Sequence, residues 1–192
     1  MKTIIRKSVL VALMLGTFSS YATVNTTVKK NEIHEAVVLN NVRKGQHWFI
    51  KNSEGKVLHQ EEIKNNGSYT EKFDFTSLKN GYYVLEVNKD FQIEIAPFTI
   101  VSGKATFYKN AEKTIFKPVV RTEENKVMIS KLDFESNPLK VVIYFEGEVI
   151  FKDTVKGGDV LRRVYTLRKD IKGSYKVTMK ANDRTYTNEF SL

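Results

Sequence analysis

The sequence predicts an all-β protein: two tandem immunoglobulin-like antiparallel β-sandwich modules after an N-terminal signal peptide. One observation is period-two alternation in runs of five to eight residues, rich in Val, Ile, Thr, Tyr and Phe and punctuated by Gly, Asn and Asp. A second is self-similarity at a gap-free offset of 92, which sets Glu54-Gly55 on Glu146-Gly147, Val57 on Val149, Gly81 on Gly173, Tyr83 on Tyr175 and Phe98 on Phe190. These are turn glycines, a corner tyrosine and apolar residues, positions that a shared backbone constrains. The third is that no long stretch after residue 22 shows apolar recurrence at three and four residues with helix caps.

Residues 1–22 have the make-up of a secretory leader. Lys2, Arg6 and Lys7 precede an apolar stretch from Val9 to Phe18, and Ser20-Tyr21-Ala22 supplies small residues for cleavage. A bilayer span needs about 20 apolar residues, so a removable leader is expected rather than an anchor. The protein is therefore expected to be exported, to the periplasm, the cell surface or the medium. The chain contains no cysteine, which excludes disulfides and thiolate metal sites. Losing the leader lowers the formal charge from +9 to +6, a modest excess that suits an anionic surface or simple solubility. Export argues against nucleic acid as a partner.

The offset divides the mature chain into a first module at 23–100, a connector at 101–114 and a second module at 115–192. In the second module, strands are predicted at 115–121, 126–132, 139–145, 148–155, 160–168, 174–181 and 184–191. Matching runs in the first fall near 23–29, 34–39, 47–52, 56–63, 68–76, 82–88 and 92–100. Seven short strands at this spacing describe an immunoglobulin-like sandwich. Gly55 and Gly147 suit a left-handed position closing a hairpin, and Gly157-Gly158 reads as another hairpin turn. Gly81-Tyr82-Tyr83 and Gly173-Ser174-Tyr175 have the form of tyrosine corners, the ring at the core edge and the hydroxyl on backbone. Modules this small bury a marginal core, so an interface between them is expected.

The run Phe73-Asp74-Phe75-Thr76-Ser77-Leu78-Lys79-Asn80-Gly81-Tyr82-Tyr83-Val84-Leu85-Glu86-Val87 resembles the most recognisable stretch of the C-terminal sorting domains of Bacteroidota. Trp48-Phe49-Ile50 leading into Ser53-Glu54-Gly55-Lys56-Val57-Leu58 is similar to the opening of those domains. The resemblance covers about residues 46–100 and, more loosely, 139–192. It implies a β-sandwich on a protein exported by the type IX secretion system. The closer match lies in the interior copy, and the chain ends Thr187-Asn188-Glu189-Phe190-Ser191-Leu192 without a terminal lysine.

No catalytic template fits, and neither a catalytic residue, a cofactor site nor a metal site is expected. His34, His47 and His59 all lie in the first copy without ligand spacing, although His47 and His59 flank one hairpin. No Gly-x-Ser-x-Gly elbow is present. Glu61-Glu62 and Glu123-Glu124 are adjacent pairs, which a strand sends to opposite faces. Phosphate-cradling and calcium loops are also missing from the sequence.

Two surfaces stand out instead. Alternation puts Tyr83, Leu85 and Val87 on one face of a strand and Tyr82, Val84 and Glu86 on the other, so this strand is apolar on both sides. Tyr82 and Val84 are expected to meet the other module, Phe107-Tyr108 or an outside partner. Arg162, Arg163, Arg168 and Lys169 bracket another strand, as a solvated edge or as contacts to anionic glycan or lipid. The functional expectation is a non-enzymatic envelope protein serving adhesion or protein–protein contact, with an envelope protein or a glycan as partner. One alternative is a secretion cargo or accessory with a degenerate sorting module. The other is a carbohydrate-binding module that stacks sugars on Trp48, Tyr69 and Tyr108.

Overall fold

A computed structural model describes residues 26–30 and 35–192. The expected signal peptide and His34 lie outside the described residues. The first sandwich is formed by β1 (Thr26–Lys30), β2 (Glu35–Val42), β3 (His47–Asn52), β4 (Val57–Glu62), β5 (Gly67–Phe73), β6 (Gly81–Asn88) and β7 (Gln92–Val101). Two further strands follow, β8 (Lys104–Phe107) and β9 (Lys113–Phe116). The second sandwich comprises β10 (Val119–Glu123), β11 (Lys126–Leu132), β12 (Leu139–Phe145), β13 (Glu148–Val155), β14 (Val160–Thr166), β15 (Ser174–Ala181) and β16 (Arg184–Ser191). Pairing is antiparallel throughout, in sheets ordered β1-β2-β5 over β4-β3-β6-β7-β8, then β10-β11-β14 over β13-β12-β15-β16. Immunoglobulin-like sandwiches of this kind bury alternate residues of both inner faces.

Each sandwich has its own core. The first closes around fully buried Trp48, Ile50, Leu85 and Phe98, with Leu39 and Ile63 filling in from the other side. The second is built from smaller residues, among them Val127, Leu139, Val141, Ile143, Leu161 and Val177. Both tyrosine corners are formed. The Tyr83 hydroxyl donates to the Lys79 carbonyl at 2.7 Å, and the Tyr175 hydroxyl to the Ile171 carbonyl at 3.3 Å.

The repeat is real but not gap-free. Tyr69 and Leu161 occupy matching sites, as do Leu85 and Val177, at the offset of 92. The third strand departs from it. Trp48 pairs with Val87 whereas Val141 pairs with Met179, an offset of 93 opposite one of 92. The same bulge recurs at Ile50/Lys51 and Ile143/Tyr144, again 93 apart. An extra residue therefore precedes β12, and the following turn, around Gly147, is one residue shorter than that around Gly55. A strand slipped by one residue would turn its core face to water, so the paired changes keep Val141 and Ile143 inside.

Two other expectations are corrected. Residues 101–114 are not a connector: Ser102 and Gly103, at φ 50° and 73°, make a two-residue turn that folds β8 back onto β7. Then β9 pairs antiparallel with the start of β7, Phe116 opposite Gln92 and Lys113 opposite Ile95, so residues 115 and 116 belong to the first sandwich. Pro97 is tolerated inside β7 because its nitrogen points to the outer edge between these two partners; its carbonyl accepts from the Tyr108 N–H on that side. Gly157-Gly158 is no hairpin turn either. It carries the chain from β13 in one sheet to β14 in the other, as the equivalent link does after β4.

Candidate functional site

Only Lys117 and Pro118 separate the last strand of the first sandwich from β10. The Lys117 N–H donates to the Phe91 carbonyl at 2.9 Å, and its ammonium donates to the Lys89 carbonyl. The joint is thus stitched to the β6–β7 turn. Burial pushes the Lys117 ammonium below its ordinary value.

The second contact comes from the outer face of β6. Glu86, only 4% exposed, receives Arg184 in a bidentate pair at 3.1 and 2.7 Å and Lys51 at 2.9 Å. Arg184 opens β16 after the turn residues Asn182 and Asp183, both at positive φ, which aims its side chain at the first sandwich. Burial raises the Glu86 carboxyl, but the hydrogen bonds from Arg184 and Lys51 outweigh it and hold the group below its usual range. Phe116 meets Phe134 edge-on at 5.8 Å, adding an apolar contact.

Beside this joint lies a cleft of about 360 Å³, walled by Phe91, Phe116, Lys117, Val119, Arg121, Ser130, Lys131, Leu132, Val160 and Arg162. Its floor continues into the outer face of the β10-β11-β14 sheet. Register places Val119, Ser130 and Arg162 in one row and Arg121, Met128 and Val164 in the next. Leu132 and Val160 pair in the row nearest the cleft. Val164 is 57% exposed and Phe91 64%, so aliphatic and aromatic surface stands open to solvent. Neither Arg121 nor Arg162 has an ion-pair or hydrogen-bond partner among the described residues. Lys131 is neutralised by Asp133 at 2.7 Å, both deeply buried.

The residues singled out by sequence are distributed unevenly. Arg163 pairs with Asp153 at 3.1 Å, Arg168 with Asp170 at 2.5 Å and Lys169 with Glu124 at 3.4 Å. Three of the four basic residues thus have acidic partners, and Arg162 alone joins the cleft. Arg121, which sequence reasoning missed, is its companion across β11. Tyr82 stacks against Tyr108 at 6.5 Å, and the Tyr108 hydroxyl bonds to Thr99 Oγ1 at 3.0 Å. Val84 is half-buried on the same outer face, while Phe107 packs inward against Phe98 at 4.7 Å. Trp48 and Tyr69 are buried, which removes two of the three rings considered for sugar stacking. His59 lies on Trp48 at 4.6 Å, and His47 is three register positions away along β3. No group of three or more His, Cys, Asp or Glu suited to a metal occurs among the described residues. No helix among them is long and apolar enough to cross a membrane.

Among solved structures, the chain is similar to the BSP domain of a biofilm associated protein, with 13% identity and a TM-score of 0.29 over 82% of this chain and 27% of that one. It thus spans about a quarter of that protein's chain. Similarity extends to the human OSCAR ligand-binding domain (8% identity, TM-score 0.25, 83% of this chain and 90% of that one). It extends also to Drosophila OTK extracellular domains 3-5 (8% identity, TM-score 0.23, 83% and 91%). No curated protein matches the sequence. Residues 22–101, the first sandwich without its two added strands, match the family model of the secretion system C-terminal sorting domain, which marks an exported or cell-surface protein.

Proposed function

We propose that the mature chain is a non-enzymatic protein of the bacterial cell envelope that works by contact with another macromolecule, in adhesion or protein–protein binding. The observation that carries this reading is the open face of the β10-β11-β14 sheet, where an outer surface that usually faces water in polar residues presents Val119, Met128, Leu132, Val160 and Val164. The test is a photo-crosslinking amino acid placed at Val164 and, as a control, at exposed Lys180 on the opposite sheet. Illumination of cells should yield adducts from position 164 and none from 180. Absence of adducts at 164 overturns the reading.

The family match favours a second reading, in which the chain is a secretion cargo or accessory with a degenerate sorting-type module. A reporter inserted between residues 1–22 and 23–192 should then reach the cell exterior only in cells with intact secretion machinery. Export that does not depend on that machinery removes this alternative.

A further inference from the structure

We propose that the outer face of β10-β11-β14, with the adjoining cleft, binds an extended acidic polypeptide segment carrying aliphatic side chains. The inference rests on the binding reading above and assigns the chemistry of its partner. Charge complementarity selects an anion. Arg121 and Arg162 stand on this face without a carboxylate, and Lys117 at the cleft wall spends its ammonium on a carbonyl. The acid on the face, Glu123, sits at the far end of β10, directly across from Lys126 in register.

Spacing selects an extended chain. Arg121 and Arg162 lie on the two strands flanking β11 and one two-residue step apart. Strand geometry puts their Cα atoms roughly 12 Å from each other, close to the distance between residues i and i+4 on one face of a strand. Ser130 and Met128 on β11 lie between the two arginines, and Val119 and Val164, the latter the most open, hold the other corners of the same patch. A sugar would find rings only in the cleft, at Phe91 and Phe116, and none beside the two arginines, whereas Leu, Ile or Val between two carboxylates would find apolar contact there. A lipid surface is planar, and the charge of Lys117 lies recessed in the cleft where such a plane does not reach. Guanidiniums suit carboxylates in particular, because their paired donors match the two oxygens.

The experiment uses residues 23–192 as the target of a random peptide display library, followed by affinity measurements on the selected peptides. Enrichment of peptides with acids at i and i+4 and aliphatic residues between them is the expected result. Replacing both arginines, Arg121→Glu with Arg162→Glu, should weaken these peptides by about tenfold or more, since each charged contact is turned into a repulsion. Both side chains are exposed, so the variant should keep the parent melting temperature, and Arg→Lys replacements should restore part of the affinity. Selected peptides without acidic bias, or peptides indifferent to the two arginines, overturn the proposal. So does retention of the protein on phosphatidylglycerol vesicles or heparin in preference to the peptides, which would assign the face to lipid or glycan. Crosslinks from Val164 in cells, with no acidic peptide selected, would refute this inference alone and leave the broader binding role standing.

Discussion

Tyr83 and Tyr175 show how far a single residue can be understood from sequence. Glycine two positions earlier and an alternating strand afterwards were enough to place both hydroxyls on backbone. The strength of the two bonds was not legible, because the apolar residue before the glycine stands one position closer in the second copy. The outcome is a bond of 2.7 Å in one corner and 3.3 Å in the other. Tyr83→Phe is therefore expected to cost about 1 kcal/mol in urea unfolding, and Tyr175→Phe about half of that. The glycines of these corners differ in the same sense. Gly173 has φ 152°, and a Cβ there would come within 2.5 Å of Glu146 Oε1 and 2.8 Å of Phe145 Cε2. That oxygen accepts the Ser174 N–H, so displacing it would break a second contact. At Gly81 the nearest atom is 3.7 Å away, in the Tyr83 ring. Gly173→Ala should destabilise by about 2 kcal/mol and Gly81→Ala by less than about 1 kcal/mol, measured by thermal melting. Charged residues were the least legible. Asp153 and Glu124 are distant in sequence from Arg163 and Lys169, and alternation along one strand says nothing about what an adjacent strand or loop supplies.

At the scale of elements, the strand runs were legible because one face of each is buried. Trp48 and Ile50 on β3, or Leu85 and Val87 on β6, could not alternate otherwise. Residues 101–116 were misread for a physical reason. β8 and β9 are four residues each and half-buried at most, so their alternation is too short to register. The offset of 92 also leaves 101–114 without a counterpart in the other copy, which made the segment look like a connector. Limited proteolysis of the mature protein should test the corrected picture. Cleavage is expected to spare 101–117, which is held in register by β7, whereas a free connector would be nicked there first. The hairpin tip at Asn182 and Asp183 was equally invisible: its positive-φ residues aim Arg184, and the Asn182 amide donates to Glu135 at 3.1 Å.

At the scale of the whole molecule, an interface was expected because two small cores gain from mutual support. Its main polar contact, Arg184 with Glu86, joins residues 98 apart, and no sequence pattern announces such a pair. Arg184→Ala leaves Glu86 buried with Lys51 as its remaining partner. The loss should be about 2 kcal/mol, less than for a fully buried pair because Arg184 is partly exposed. Calorimetry should then resolve two transitions in place of a more cooperative one. The same pair predicts an acid limit. The Glu86 carboxyl is held below its ordinary value near 4.5, so its contribution is complete above that pH and is lost as pH falls through the lower, folded value. The melting temperature of the parent protein should fall across that window, and that of Arg184→Ala should fall less. Because the cleft lies beside the joint, the same acidification should alter it. The pairing across the joint also has an evolutionary side. A gene that lost either copy would bare to water the groups that now meet across the joint, Glu86 and Phe116 on one side and Arg184 and Phe134 on the other, so shedding one module remakes the surface of the one that stays.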